Sequence, residues 1–213
     1  MGTNYKAISL FCAAILLFLV IAFFRTYFGL FPGFKNITLS IHFHVAMVLL
    51  WFAMLIVQPL LISKKLLSIH RLIGKASYIL VPLLIFSFVL MTRNEQVRLK
   101  NLPVFVVNIF DVSIFILFYT LAIIYKRKTA WHSRFMVLTV IPFLSPSAAR
   151  LHIDGIIIQI TLLIGLFIFE CFKGKVLKPY IIALSGYMAL LIILGGLFFL
   201  KPEILDSLWN VFF

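Results

Sequence analysis

The stretch Phe11–Phe24 reads FCAAILLFLVIAFF and decides the class of fold, because it holds no charged residue over nearly four helical turns. The rest of the chain has the same character: its 213 residues are 64% hydrophobic and 12% charged. Soluble domains are about half apolar and about a quarter charged. Burial of this much apolar surface, including 24 phenylalanines, requires lipid. The composition predicts an all-α, polytopic membrane protein, a single helical bundle and domain over residues 1–213.

Apolar stretches long enough to cross a bilayer recur along the chain, since a spanning helix needs roughly 20 residues. They predict seven transmembrane helices, near residues 7–31, 39–62, 74–92, 104–125, 131–150, 153–172 and 179–200. The first ends in Arg25 with no small-residue cleavage site, so we expect a retained span. Pro142 and Pro146 predict a kink or break in the fifth around Ser145-Pro146-Ser147, and the continuity of the fifth and sixth spans stays open.

The 19 Lys and Arg residues lie in short clusters between these stretches. The dense clusters lie in alternate linkers, which are on the same side of the membrane. Together with Lys6 they give that side twelve cations, and the other side has seven. Because cytoplasmic loops are enriched in cations, the N-terminus is predicted to be cytoplasmic and the C-terminus outside, in an inner (plasma) membrane. The formal net charge of +13 therefore indicates anionic lipid headgroups as partner, and no nucleic acid.

Polar residues inside the spans are the candidates for function, because an ionisable group in lipid is costly. His44, Trp51 and Gln58 recur every seven residues, so they are predicted to share a protein-facing stripe on the second helix. His42 lies two positions from His44, about 200° round a helix. It points elsewhere unless the helix begins after it, in which case both histidines converge.

A polar pocket is predicted around Asp111 in the fourth span. Its carboxylate cannot stay charged alone in lipid, so it is either protonated or paired with Arg25 or Arg150. The pocket requires the second, fourth and fifth spans to be neighbours. The other residues assigned to polar sites are His44, His152, Gln58, Asn108 and Asp154. For histidines and arginines at span ends, an interpretation in which they only occupy the headgroup layer or cap a turn stays open.

Two motifs lie beside the basic linkers. After His44 and Gln58-Pro59, the third span opens with His70-Arg71-Leu72-Ile73-Gly74-Lys75-Ala76-Ser77-Tyr78, and His132-Ser133-Arg134-Phe135-Met136 precedes Arg150 in the fifth. Together they resemble a family of bacterial predicted integral membrane proteins of unknown function, with a His-opened helix, His-Arg-x-x-Gly-Arg/Lys-x-x-Tyr, and His-x-x-x-Met with a distal Arg. The resemblance covers spans two to five and implies which residues matter without naming a reaction.

Histidines at both membrane faces of four consecutive spans are more loosely similar to di-haem b-type transmembrane cytochromes, although His132 and His152 share one segment here. The leading hypothesis is therefore haem b binding, for electron transfer or in assembly of a respiratory membrane complex. The inner ligand pair is His70 and His132, with Arg71 and Arg134 near the propionates. The outer pair is His44 and His152.

Two other classes of function stay open, and so does the question of whether the protein is an enzyme. The first is a zinc-dependent membrane hydrolase with His42, His44, His152 and Asp111 as ligands. The second is non-enzymatic and needs no cofactor: a transporter in which Asp111 binds a proton or substrate, or a structural protein. Nucleotide binding and serine hydrolysis are not supported, since no P-loop, GxGxxG or GxSxG motif occurs.

Overall fold

The computed structural model describes residues 5–99, 102–173, 177–200, 203–205, 207 and 209, with the side chains of 94–99 excepted. Three cations counted in the predicted charge bias, Lys100, Lys175 and Lys201, lie outside these residues. Every regular element in the described part of the chain is helical. Six helices there are long and apolar enough to cross a membrane: Tyr5–Ala22, Leu39–Ser63, Leu67–Arg93, Leu102–Ile124, Gly155–Phe172 and Lys178–Leu200. The prediction of an all-helical membrane protein is confirmed.

The outward faces of these helices are apolar, as a lipid environment requires. On the first helix Leu10 is 72% exposed and Leu17 is 60% exposed, one heptad apart. On the last helix Ile192 is 68% exposed. Polar side chains are instead found in the interior, among them Ser87, Ser147 and Gln159.

The chain divides into two compact units, Met1–Asn94 and Glu95–Phe213. The first contains α1 (Tyr5–Ala22), α2 (Leu39–Ser63) and most of α3 (Leu67–Leu99). In this unit α1 packs along α2, and the Ser9 hydroxyl donates to the Ile56 carbonyl at 2.8 Å. The prediction of a single domain stays a prediction.

Two helix boundaries in the first unit differ from the predicted ones. α1 ends at Ala22, and a 3-10 helix follows at Phe28–Leu30, although the apolar stretch predicted a span to residue 31. The chain packs tightly after α1, since a Cβ atom at Gly29, within the 3-10 helix, would lie 2.8 Å from the Phe24 carbonyl oxygen. Conversely, α3 begins at Leu67 and not near residue 74. Its first turns carry the basic residues on an exposed face, so the apolar stretch begins several residues after the helix does.

The second unit is built around α4 (Leu102–Ile124). The described residues of this unit also form α5 (Thr129–Leu138), α6 (Leu144–Arg150), α7 (Gly155–Phe172) and α8 (Lys178–Leu200). Phe110, Ile114, Phe118 and Ala122 recur every four residues on α4 and form one buried apolar face. The rest of this core is Phe135, Leu138, Ile141, Leu163, Tyr180, Ala183 and Tyr187.

The predicted fifth span is broken and the predicted sixth is one continuous helix. α5 ends at Leu138, a 3-10 helix spans Ile141–Phe143, and α6 follows. The predicted break is therefore confirmed, but it lies before Ser145. Pro142 falls in the 3-10 helix, whereas Pro146 occupies the first turn of α6, where no backbone N–H donor is needed. Residues 139–141 are fully buried, so protein shields the irregular backbone.

Candidate functional site

Among the described residues of the second unit, Asp111 has the most enclosed carboxyl group, nine residues into α4 and therefore roughly 13 Å from its beginning. Its neighbours on the same helix, Phe110, Ile114 and Phe115, are at most 4% exposed, and Asp111 itself is 7% exposed. The predicted partners were Arg25 or Arg150, whereas the structure gives Asp111 two neutral partners, the side chains of Gln159 and Ser145. Hydrogen bonds from neutral groups thus surround this carboxyl group.

A chain of hydrogen bonds joins three helices through Asp111. The Tyr187 hydroxyl of α8 donates to Gln159 Oε1 at 2.8 Å. The Nε2 amide of Gln159, on α7, donates in turn to Asp111 Oδ1 at 2.7 Å. Gln159 is 1% exposed and Tyr187 is fully buried, so both bonds lie in a low-dielectric interior. Both donors are directed toward the carboxyl group, as they would be for a carboxylate.

Ser145 brings the broken segment into this cluster. It is the second residue of α6, directly after the 3-10 helix, and it is 6% exposed. Pro142 and Pro146 lack the N–H groups that a continuous helix would direct to the carbonyls of Leu138 and Pro142. The side chain that contacts Asp111 therefore lies where the backbone departs from an α-helix.

Close packing between α6 and α7 fixes the position of Ser145. A Cβ atom on Gly155 would lie 2.5 Å from Ser145 Oγ and 2.9 Å from Ser145 Cα. We therefore expect Gly155→Ala to destabilise the protein by about 1–3 kcal/mol, the usual cost of overpacking. Thermal unfolding in detergent measures this effect. Gly165→Ala is the matched control, because a Cβ atom there meets nothing within 4 Å; equal losses in both variants would contradict the packing explanation.

The remaining residues of the predicted pocket have other surroundings. Asp154 is exposed and accepts from the Ile157 N–H at 2.9 Å, so it caps α7. Arg150 is exposed and donates to the Pro146 carbonyl at 2.8 Å. His152 is exposed with φ of 58° in the turn after α6. Asn108 is half-buried on α4, and Arg25 is exposed in the first unit.

The predicted stripe on α2 is found in the first unit. Trp51 is fully buried and Gln58 is 8% exposed. The amide of Gln58 lies against α3, where a Cβ atom on Gly74 would be 4.0 Å from Gln58 Nε2. His44 Nδ1 is 3.1 Å from Ser87 Oγ of α3. The heptad spacing therefore identified the face of α2 that meets α3.

His42 does not share this face. α2 begins at Leu39, before both histidines, so the condition under which His42 and His44 converge is not met. Instead, His42 Nδ1 lies 2.8 Å from the Tyr27 hydroxyl, and its ring packs edge-on against Phe34. Within neither unit do three His, Cys, Asp or Glu side chains of the described residues form a group that could hold a metal ion.

Two histidines have their protonation pattern set by a neighbour. The Ser87 hydroxyl gives its one proton to the Leu84 carbonyl at 2.7 Å, so the proton between Ser87 and His44 must be on His44 Nδ1. His132 Nδ1 lies 2.8 Å from the Ala122 carbonyl, which only accepts. In the neutral form of both rings, Nε2 therefore carries the free lone pair.

The two arginines predicted to lie near haem propionates, Arg71 and Arg134, have different surroundings. Arg71 is exposed on the first turns of α3, where its Nε donates to the Leu67 carbonyl at 3.3 Å, and His70, half-buried, precedes it. Arg134 is 8% exposed and donates from Nη2 to Glu170 Oε2 at 2.8 Å and from Nη1 to the Ala130 carbonyl at 2.7 Å. Its charge is thus already paired within the second unit.

Sequence reasoning missed four members of these clusters: Ser145, Gln159, Glu170 and Tyr187. A signal existed on α7. Gln159, Leu163 and Glu170 are its buried residues, at spacings of four and seven that place them on one helical face. A polar residue on the same face as an intramembrane Glu predicts a protein-facing stripe, as on α2. No comparable pattern distinguishes Ser145 or Tyr187.

Comparison with known proteins adds no relative: no family model, curated protein or solved structure matches this chain.

Proposed function

We propose that this protein is a membrane transporter whose second unit binds a proton or a small cationic solute at Asp111. The observation that carries the proposal is the buried chain from Tyr187 through Gln159 to Asp111, together with Ser145 at the helix break. An acidic group at this depth is costly and persists where it has a task. Broken helices shielded by protein are the usual place of ion and substrate sites in transporters.

The proposal is tested without knowing a transported solute. Purified protein is reconstituted into vesicles adsorbed on a solid-supported electrode, and the external pH is stepped. Proton or cation binding inside the dielectric displaces charge, so we expect a transient current that is proportional to the amount of protein. A trace identical to that of protein-free vesicles at every pH step would contradict an intramembrane binding site.

The topology completes this proposal. Six described helices are long enough to span, and the broken segment 129–150 supplies the seventh crossing. The charge bias of the linkers then places the N-terminus in the cytoplasm and the C-terminus outside an inner (plasma) membrane. Anionic headgroups on the cytoplasmic side are the partner of the dense basic clusters. The resemblance to the bacterial membrane family stays a prediction.

Cysteine labelling tests the crossing by the broken segment. In a background without Cys12 and Cys171, Arg127→Cys and Ile153→Cys place a thiol at exposed positions before and after that segment. We expect a membrane-impermeant maleimide to label position 153 in intact cells and position 127 only after permeabilisation. Labelling of both positions from the same side would show that the segment does not cross.

A second candidate function is the binding of haem b, for electron transfer or in respiratory-complex assembly. The specific observation in its favour is the tautomer of His44 and His132, which presents Nε2 as a ligand while Nδ1–H is held by a second group. His132 also has a structural explanation. Ala122 is near the end of α4, and Lys126 N bonds to Ile123 instead, so His132 occupies an otherwise orphaned carbonyl.

Absorption spectra of the purified protein, oxidised and dithionite-reduced, test this candidate. Haem ligation predicts a Soret band with sharp reduced α and β bands, lost in His44→Ala or His132→Ala. His42→Ala is the control, because its Nδ1 faces the Tyr27 hydroxyl, which can donate to it and leave the ring proton on Nε2. A colourless protein with stoichiometric zinc would instead favour the zinc hydrolase, and a colourless, metal-free protein would contradict both cofactor functions.

A further inference from the structure

The Asp111 site is closely packed on all the elements that surround it. Phe110, Ile114 and Leu163 are at most 4% exposed, and Leu144 of α6 is 2% exposed. Ser145 Oγ already occupies the place where a Gly155 side chain would begin. A metal cation would need several oxygen ligands around it, but the amide group directed at Asp111 is an N–H donor. A proton needs neither space nor further oxygen ligands.

From this packing we propose that the ligand of Asp111 is a proton and that the Ser145 hydroxyl delivers it from the helix break. The inference rests on the proposed function and specifies both the ligand and its route. Among the residues that the structure describes, the side chains of Gln159 and Ser145 hydrogen-bond to Asp111, so they are the two candidate routes by which a proton reaches the carboxyl group.

The Gln159 side is a poor relay. A hydroxyl can accept one proton, release another and remain a hydroxyl. An amide that accepts a proton on Oε1 and releases one from Nε2 becomes the imidic-acid tautomer, and here the proton donor would be the buried Tyr187 hydroxyl, which would be left as a phenolate. The Tyr187 hydroxyl is therefore separated from Asp111 by a group that orients the carboxyl but does not exchange protons with it.

The Ser145 side has the required chemistry. Its hydroxyl can donate to an ionised carboxylate and can accept from a protonated one by rotating about a single bond. In the delivery step, a hydronium ion that reaches the helix break transfers a proton to Ser145 Oγ as the proton of Ser145 moves to the Asp111 carboxylate. One O–H bond of the hydronium ion and the original O–H bond of Ser145 break, a new Ser145 O–H bond and the carboxyl O–H bond form, and a water molecule is released.

Other ionisable groups on the elements packed around Asp111 are few. Tyr187 faces the cluster from α8, and Asp154 interacts electrostatically with it from the start of α7. Arg150 at the end of α6 and His152 in the next turn are exposed. At the other end of the unit, α5 and α7 carry the Arg134–Glu170 pair. Among these, Asp111 is the group whose side chain contacts Ser145.

The pH-step current tests delivery through Ser145 separately from binding at Asp111. Its integrated charge reports proton binding, and its relaxation rate reports proton delivery. We expect Ser145→Ala to keep the wild-type charge but to relax slower by roughly tenfold or more, since a positioned proton-transfer group commonly contributes a factor of about 100 or more. The solvent deuterium effect on the rate should also change. Ser147→Ala is the matched control, because the Ser147 hydroxyl is buried on the same helix but donates to the Phe143 carbonyl.

Different outcomes would contradict the proton route through Ser145 and the proposed binding function at Asp111. A wild-type rate in Ser145→Ala, or an equal slowing in Ser145→Ala and Ser147→Ala, would overturn the route while the binding site stands. A current that depends on an added alkali cation at constant pH would overturn the proton as ligand. Absence of displaced charge in the wild-type protein would refute the proposed function itself.

Discussion

Asp111→Asn is expected to reduce the charge displaced by a pH step to the level of protein-free vesicles. The asparagine side chain has nearly the same shape, so α4 should still pack through Phe110 and Ile114. It can still accept from the Gln159 amide, which now donates to a neutral carbonyl oxygen. What it cannot do is bind and release a proton, and this is the step that moves charge inside the membrane.

The control for this variant is Asp154→Asn. Asp154 is an aspartate of the same unit, but it is exposed and caps α7 through the Ile157 N–H. We expect its displaced charge and its stability to match the wild type, because asparagine caps a helix about as well as aspartate does. If Asp111→Asn retained the charge and Asp154→Asn lost it, the binding site would lie at the exposed turn and not in the bundle.

The second large effect is expected at the Arg134–Glu170 ion pair. Replacing Glu170 by Leu leaves the guanidinium of Arg134 buried, and both side chains are about a tenth exposed in the wild-type protein. Removing one partner of a buried pair destabilises proteins by about 3–5 kcal/mol, because the remaining charge is uncompensated. We expect Glu170→Leu to unfold at a markedly lower temperature in detergent.

The double variant Arg134→Leu with Glu170→Leu distinguishes this explanation from a simple loss of contacts. Removing both charges removes the uncompensated one, so most of the lost stability should return. Arg71→Leu provides an exposed control with a smaller expected effect, since surface charges contribute at most about 1 kcal/mol. A double variant less stable than either single one would indicate that the pair itself contributes net stability.

The sequence predicted the class of fold because lipid imposes a strong and local constraint. Apolar length alone located the six helices that the structure describes as long enough to span, and Pro142 and Pro146 predicted the break. Boundaries were less well predicted. Hydropathy cannot detect the tight turn at Gly29 that follows α1, or the helical turns that carry Arg71 into a basic linker.

The candidate site was predicted only in part. Asp111 was identified because a carboxyl group inside a span needs a partner. The nature of that partner depends on which helices are neighbours, and periodicity along one helix says nothing about adjacency. Gln159 and Ser145 are 48 and 34 residues from Asp111 in the chain and contact it only through tertiary packing. For the same reason Glu170 was missed as the partner of Arg134.

Infrared difference spectroscopy of the protonated carboxyl group tests most directly whether Asp111 binds a proton. Spectra of reconstituted protein at low and high pH would be compared for the wild type and Asp111→Asn, with the carboxyl carbons of aspartate isotope-labelled. We predict an aspartate C=O band that appears as pH falls, shifts with the label and is absent from Asp111→Asn. A band of unchanged size in Asp111→Asn, or no labelled band in the wild type at any pH at which the protein is folded, would contradict proton binding by Asp111.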